Sequence, residues 1–213
     1  YDQFTVIQKE TIDHKLHVAI QETATNDVLP YTLDLPGIYQ TKNIVTVLAA
    51  VRQLQQQNLA ITEEHLQTAL AATKQINGLH GRWEVLQSNP TLVLDVGHNE
   101  DGMKQIVAQL AASTYQQLHL IIGMVKDKEV EKVLALLPTD ARYYFTKAQI
   151  PRALPETDLQ QKAAAFHLIG NCFENVNAAI ANALQHAHRD DLVLVCGSVF
   201  LVGEVEWSVV NGE

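Results

Sequence analysis

Leu92-Val93-Leu94-Asp95-Val96-Gly97-His98-Asn99 is the stretch that decides the architecture. Leu92–Val96 is apolar on both faces of an extended chain, apart from Asp95 near its end. Such a strand belongs in the middle of a parallel sheet covered by helices on both sides. Gly97 then lets the backbone turn, and an amphipathic stretch follows over residues 101–112. Reading outward, the same unit recurs: Leu118–Ile122 with a helix over 128–137, Arg142–Phe145 with 158–165, His167–Ile169 with 175–188, and finally Leu192–Cys196. Trp83–Leu86 adds a short strand in front. Residues 81–213 therefore read as an α/β domain, a Rossmann-like open, mostly parallel sheet with helices on both faces.

Residues 1–80 have a different pattern. Leu16, Val18 and Ile20 alternate with polar neighbours in the period of a half-buried strand, Asn26-Asp27 supplies a turn, and Leu33 and Leu35 alternate again before Pro36-Gly37. Ile44, Val45, Leu48, Val51 and Leu54 form a helical stripe over about residues 40–57. Thr62 is placed to cap a second helix that turns Leu66 and Leu70 inward. This segment reads as the tail of a separate, mixed α/β domain. The chain begins at Tyr1 rather than Met, which points to a piece of a longer protein.

With 47% hydrophobic and 18% charged residues, the 213-residue chain has ordinary globular composition. Its formal net charge of -9 argues against a nucleic-acid or anionic-membrane partner, since both would be repelled. An anionic substrate must be met by a local cation. The two cysteines, Cys172 and Cys196, lie in apolar surroundings and read as free thiols of a reducing, cytoplasmic compartment. No signal peptide or bilayer-spanning run is apparent.

Ligands of open α/β sheets gather at the carboxyl ends of the strands. Three polar segments fall there: Asp95–Asn99, Gly123–Lys128 and Cys196-Gly197-Ser198. The helix after the first starts with Glu100 and Asp101, which would repel a phosphate, so that loop suits neutral hydroxyls such as those of a ribose. A simple loop cap is the plain alternative for Asp95. Gly97 and Gly102 do not fit Gly-x-Gly-x-x-Gly, and no Gly-x-x-x-x-Gly-Lys-Ser/Thr occurs. His14-x-x-His17 and His186-Ala-His188 lack companion ligands, and no metal site is expected from them. Lys126, Asp127 and Lys128 by themselves fit a solvated loop better than a site. Arg152, in the rigid Pro151-Arg152-Ala153-Leu154-Pro155, fits a surface cation equally well.

Five motifs in order carry a family resemblance. Gly37-Ile-Tyr-Gln-Thr-Lys-Asn43 is similar to the Mur ligase Gly-x-His-x-x-x-Asn, with Tyr39 in place of the usual histidine. Gly81-Arg82-Trp83-Glu84 resembles Gly-Arg-Phe/Trp-Glu, and Asp95-Val-Gly-His-Asn99 resembles the Asp-Gly/Val-Ala-His-Asn of the folate branch, with Glu100 replacing a proline. Gly123–Lys128 and Gly197-Ser-Val-Phe-Leu-Val-Gly203 fit the same branch. The resemblance, to folylpolyglutamate and dihydrofolate synthases, runs from about residue 30 to 205. It implies that residues 1–80 are the end of the central, ATP-binding domain and that residues 81–213 are the C-terminal, glutamate-ligase domain. It also implies an ATP- and Mg2+-dependent ligase in which a folate or dihydropteroate carboxylate is phosphorylated and the amine of L-glutamate attacks the acyl phosphate. The phosphate loop and the magnesium ligands would lie in an N-terminal domain, leaving this chain inactive alone; a monomer is expected.

By the same resemblance Asn43 would contact adenine, Arg82 the phosphates and Asp95 the ribose, with His98 and Asn99 beside the nucleotide. Arg82 and His98 would serve the chemistry. Lys126 and Ser198 would face glutamate, and Arg152 is grouped with them. Two other readings stay open at this point: a free-standing nucleotide- or amino-acid-binding module, and another amino-acid ligase of the Mur type.

Overall fold

The structure is a computed structural model that describes residues 3–126 and 129–206. The chain divides into two compact units, Tyr1–Leu79 and His80–Glu213.

The first unit opens with an antiparallel sheet of β1 (Phe4–Ile12), β2 (Lys15–Glu22) and β3 (Val28–Leu33) in that order. Asp13 and His14 both have positive φ and close the β1–β2 hairpin in two residues. That backbone matches the right-handed twist of the strands. Helix α1 (Gln40–Gln56) and helix α2 (Glu63–Ala71) follow, then the short α3 (Thr73–Asn77). Thr62 caps α2: its hydroxyl accepts from the His65 N–H, and the His65 ring returns the bond to the Thr62 N–H. The alternating residues Leu16, Val18 and Ile20 pack with Ile44, Leu48 and Val51 of α1 into one apolar cluster.

The second unit is a six-stranded sheet of β4 (Glu84–Ser88), β5 (Thr91–Leu94), β6 (Leu118–Ile122), β7 (Arg142–Phe145), β8 (Gly170–Cys172) and β9 (Leu192–Cys196), in the order β4-β5-β9-β6-β7-β8. Only β4 runs antiparallel to its neighbour. Helices α4 (Glu100–Ala111), α5 (Val130–Leu134) and α6 (Glu156–Ala164) bury Ile106, Val133 and Leu159 against one face. Helices α7 (Val176–His186) and α8 (Val199–Gly203) bury Ile180 and Leu201 against the other. Alternate residues of β9 serve the two clusters, Leu194 and Cys196 on one side, Val193 and Val195 on the other. That double burial is why the strand carries no polar residue. The fold class read from the sequence is thus the observed one.

Three strands differ from their expected bounds, and one of them, β5, expected over Leu92–Val96, runs over Thr91–Leu94. The segment expected over His167–Ile169 is instead the turn after α6. His167 has φ 61° and Ile169 is exposed, and β8 begins only at Gly170. A Cβ on Gly170 would fall on the Tyr143 carbonyl, so glycine is needed where β8 meets β7. Trp83 does not start β4, because its φ of 53° takes it out of the extended region. Asp127 and Lys128 lie outside the described residues, and α5 is shorter than the 128–137 expected.

His119, in β6, is fully buried. Its Nδ1 is 2.8 Å from the Tyr144 hydroxyl and its Nε2 is 3.4 Å from Asp191. Asp191 also accepts from the backbone N–H groups of Gln117 and His188. Burial holds the His119 imidazole below its ordinary range near 6.5; hydrogen bonding to Asp191 opposes this, and Arg142 and His186 add to the lowering. A histidine with a depressed value binds fewer protons folded than unfolded. Its stabilisation is therefore complete above about pH 6.5 and is lost as pH falls below it. The melting temperature should fall between about pH 7.5 and about pH 5.5, and His119→Gln should flatten that slope. A melting temperature constant over that interval in the parent chain would refute the linkage.

Candidate functional site

The carboxyl ends of β5, β6 and β9 bring three loops together by backbone bonds. The Gly197 N–H donates to the Gly97 carbonyl at 2.9 Å, and the Gly123 N–H donates to the Cys196 carbonyl at 3.3 Å. Gly197 has φ 105°, and a Cβ there would stand 2.6 Å from the Gly123 carbonyl oxygen. The approach of these loops needs the missing side chain.

A fourth segment, Gly81–Glu84, lies along the first loop. The Val96 N–H donates to the Gly81 carbonyl at 2.9 Å. The Trp83 N–H donates to Asp95 Oδ2 and the Gly97 N–H to Asp95 Oδ1, both at 2.9 Å. Asp95 is only 3% exposed. Its carboxylate is thus a brace between the strand end and the turn before β4, which the sequence had offered as the plainer of its two roles. Glu84 is 2% exposed; it accepts from the Gly81 N–H at 2.9 Å and from His80 Nδ1 at 3.0 Å.

Arg82 lies in the turn between Gly81 and Trp83, whose backbone N–H groups these two carboxylates hold. Its Nη1 donates to the Gly81 carbonyl at 3.3 Å, and among the described residues the guanidinium forms no ion pair with an acid. Glu84, the acid nearest in sequence, is occupied by His80 and the Gly81 N–H. A planar cation with no carboxylate partner among the described residues, in a chain of net charge -9, suits an anionic ligand.

His98 is exposed, and its Nδ1 donates to the Val96 carbonyl at 3.0 Å. That bond orients the ring and leaves Nε2 outward as the acceptor of the neutral imidazole. Asn99 caps α4, its Oδ1 accepting from the Gly102 N–H at 2.8 Å. Glu100 is paired with Lys104. Residues 81–199, more than half of the chain, match the family model described as Mur ligase, glutamate ligase domain. The chain belongs to the Mur ligase family.

The relatives of this Mur ligase domain are folate enzymes by name. A probable bifunctional folylpolyglutamate synthase/dihydropteroate synthase of Haloferax volcanii is 29% identical over 199 residues, 91% of this chain and 22% of that protein. The dihydrofolate synthase/folylpolyglutamate synthase of Escherichia coli K12 is 25% identical over 203 residues, covering 94% and 46%. A solved bifunctional folylpolyglutamate synthase/dihydrofolate synthase with Mn, AMPPNP and L-glutamate bound superimposes with a TM-score of 0.73 at 26% identity, covering 100% of this chain and 47% of that one. The chain therefore spans less than half the length of each.

The remaining residues singled out from the sequence fall in two places. Lys126 and Arg152 meet across a short bridge: Val125 pairs with Ala153, and the Lys126 N–H donates to the Arg152 carbonyl at 3.0 Å. Both side chains are exposed, and the Arg152 guanidinium lies over the Phe200 ring at 4.7 Å. Ser198 is buried and caps α8, its Oγ accepting from the Phe200 N–H. Asn43 belongs to the other unit, in α1, and donates to Gln40 Oε1 at 2.7 Å. Sequence reading quoted Glu84 within the Gly-Arg-Trp-Glu motif without giving it a role in the site, and nothing in the sequence marked its partner His80 or the Phe200 ring under Arg152.

Proposed function

We propose that this chain is the C-terminal part of an ATP-dependent ligase that joins L-glutamate to folate or dihydropteroate. In this reading residues 1–80 close the central domain and residues 81–213 form the glutamate-ligase domain. The observation that carries the reading is Arg82, a guanidinium without a carboxylate partner among the described residues, set next to the strand-end loops of a Mur ligase domain. The folate relatives favour this branch over other Mur-type ligases.

Bound ATP supplies the phosphoryl group that turns a carboxylate into an acyl phosphate, which the glutamate amine then attacks. Arg82 offers two parallel N–H donors to phosphate oxygens and stabilises the charge that builds on them. His98 presents Nε2 beside the nucleotide. Asp95 keeps its bracing bonds and turns toward a ribose hydroxyl, since a carboxylate accepts about four hydrogen bonds. The Asn99 amide adds a further nucleotide contact. Lys126 and Arg152 suit the glutamate carboxylates, and the Ser198 hydroxyl stands at the base of the same loops. The stacking of Arg152 on Phe200 holds its guanidinium in place.

Among the described residues no group of three or more His, Cys, Asp or Glu side chains could hold a metal ion. These residues do not fit a magnesium site by themselves. No helix among the described residues is long and apolar enough to cross a membrane, and both cysteines are free, which supports a cytoplasmic setting.

The test compares the chain with the full-length protein. The chain alone with Mg-ATP should release no phosphate above background. The full-length protein should release ADP only when glutamate and a folate or dihydropteroate acceptor are both present. Sustained phosphate release that follows this chain through several columns would overturn the reading, as would full-length turnover indifferent to glutamate.

A further inference from the structure

The turn that presents Arg82 is left-handed on both sides of it: Gly81 has φ 72°, which glycine adopts freely, and Trp83 has φ 53°. A bulky aromatic rarely adopts that conformation, and it persists only where surrounding bonds over-determine it. Three bonds do so here. The Trp83 N–H is held by Asp95, the Gly81 carbonyl by the Val96 N–H, and the Gly81 N–H by Glu84. The first two come from the loop after β5. The third comes from a carboxylate buried at the start of β4, which also meets the half-exposed His80 ring.

We propose that Glu84 is a positioning residue for Arg82: it fixes Gly81, and through Gly81 the direction in which the guanidinium leaves the backbone. The geometry gives the reason for a carboxylate. Glu84 accepts from the Gly81 N–H and from His80 Nδ1 at once, at 2.9 Å and 3.0 Å. A glutamine has one accepting oxygen, and its NH2 group can meet His80 only after the ring turns an unprotonated Nδ1 toward it, so the charge-assisted bonds to both groups are lost. The turn would then be held less firmly, and Arg82 would sample directions that miss the phosphate. Displacements of about 1 Å cost catalysis on the order of 10²-fold.

This inference rests on the proposed role of Arg82, and a double-mutant cycle separates the two. In the full-length ligase, Glu84→Gln should lower kcat by roughly ten- to hundredfold. With Arg82→Ala already present, Glu84→Gln should lower it no further, because the residue through which it acts is gone. His80→Ala, which removes the outer partner and keeps the carboxylate, should give a smaller loss that also vanishes with Arg82→Ala. If Glu84→Gln does not fold, as judged by circular dichroism at the assay temperature, the His80→Ala cycle decides alone. Normal kcat in the folded Glu84 variant, or losses that multiply with that of Arg82→Ala, would overturn the inference and leave the role of Arg82 standing. Normal activity in Arg82→Ala would remove both.

Discussion

Replacing Arg82 with alanine is expected to lower kcat of the proposed full-length ligase by on the order of 10²–10³ while leaving the fold intact. The size follows from removing a preorganised cation from a site where, in the proposed reaction, negative charge develops. The unchanged stability follows from its surroundings. The Arg82 side chain makes one hydrogen bond, to the neighbouring Gly81 carbonyl, and no ion pair among the described residues. Losing it should change the melting temperature little, since even exposed ion pairs contribute only about 0–1 kcal/mol. Arg82→Lys should recover part of the loss, because an ammonium keeps the charge without the two-point fork. The competing idea, a structural pair of Arg82 with Glu84, is weakened by the bonds Glu84 makes to His80 and Gly81. Steady-state kinetics and thermal melts on the same preparations decide the matter. Near-normal kcat in Arg82→Ala, or an activity loss that tracks a large fall in stability, would end the catalytic assignment.

Asp95→Ala should behave in the opposite way, with a large loss of stability. Two backbone donors, the buried Trp83 N–H and the Gly97 N–H, lose their acceptor together. Each donor left unmatched costs about 1–3 kcal/mol. Denaturant titration of the chain itself should show a lower midpoint, and Asp95→Asn, which retains one accepting oxygen, should fall between. In the full-length ligase the asparagine variant should raise KM for ATP more than KM for glutamate if Asp95 also meets the ribose. A midpoint in Asp95→Ala equal to the parent's would dispose of the brace. A folded Asp95→Asn with unaltered ATP dependence would dispose of the ribose contact.

The contrast between these residues shows what a sequence can reveal. The strands Leu118–Ile122 and Leu192–Cys196 were legible because burial on both faces forces an unbroken apolar run. Helix α1 was legible because one apolar stripe at helical spacing covers one sheet face. The Asp95 loop could be placed at a strand end because a carboxylate that closes a doubly buried strand must find donors there to offset its lost hydration. Its partner could not be named, since Trp83 lies twelve residues away and reaches it only through a left-handed turn. The His167–Ile169 segment misled for a related reason. Leu168 is apolar because it packs under the turn after α6, and no local period distinguishes that from a strand. Short α8 was hidden because Val199–Gly203 is a single helical turn and a half, too brief to show a period. The pairing of Lys126 with Arg152 depends on a bridge between distant loops, which composition does not encode.

The strand order has a consequence for how the protein is made. β9 lies between β5 and β6, so the two halves of the sheet have no bond to each other until Leu192–Cys196 has been synthesised. Before that, a growing chain holds one incomplete half built on β4 and β5 and another built on β6, β7 and β8. Each half exposes the open edge that β9 will occupy. Pairings so far apart in sequence form slowly, and unpaired edges invite association with other chains. The nascent domain thus waits, edge-exposed, for β9, and a stop codon just before residue 192 would leave two half-sheets with nothing to join them.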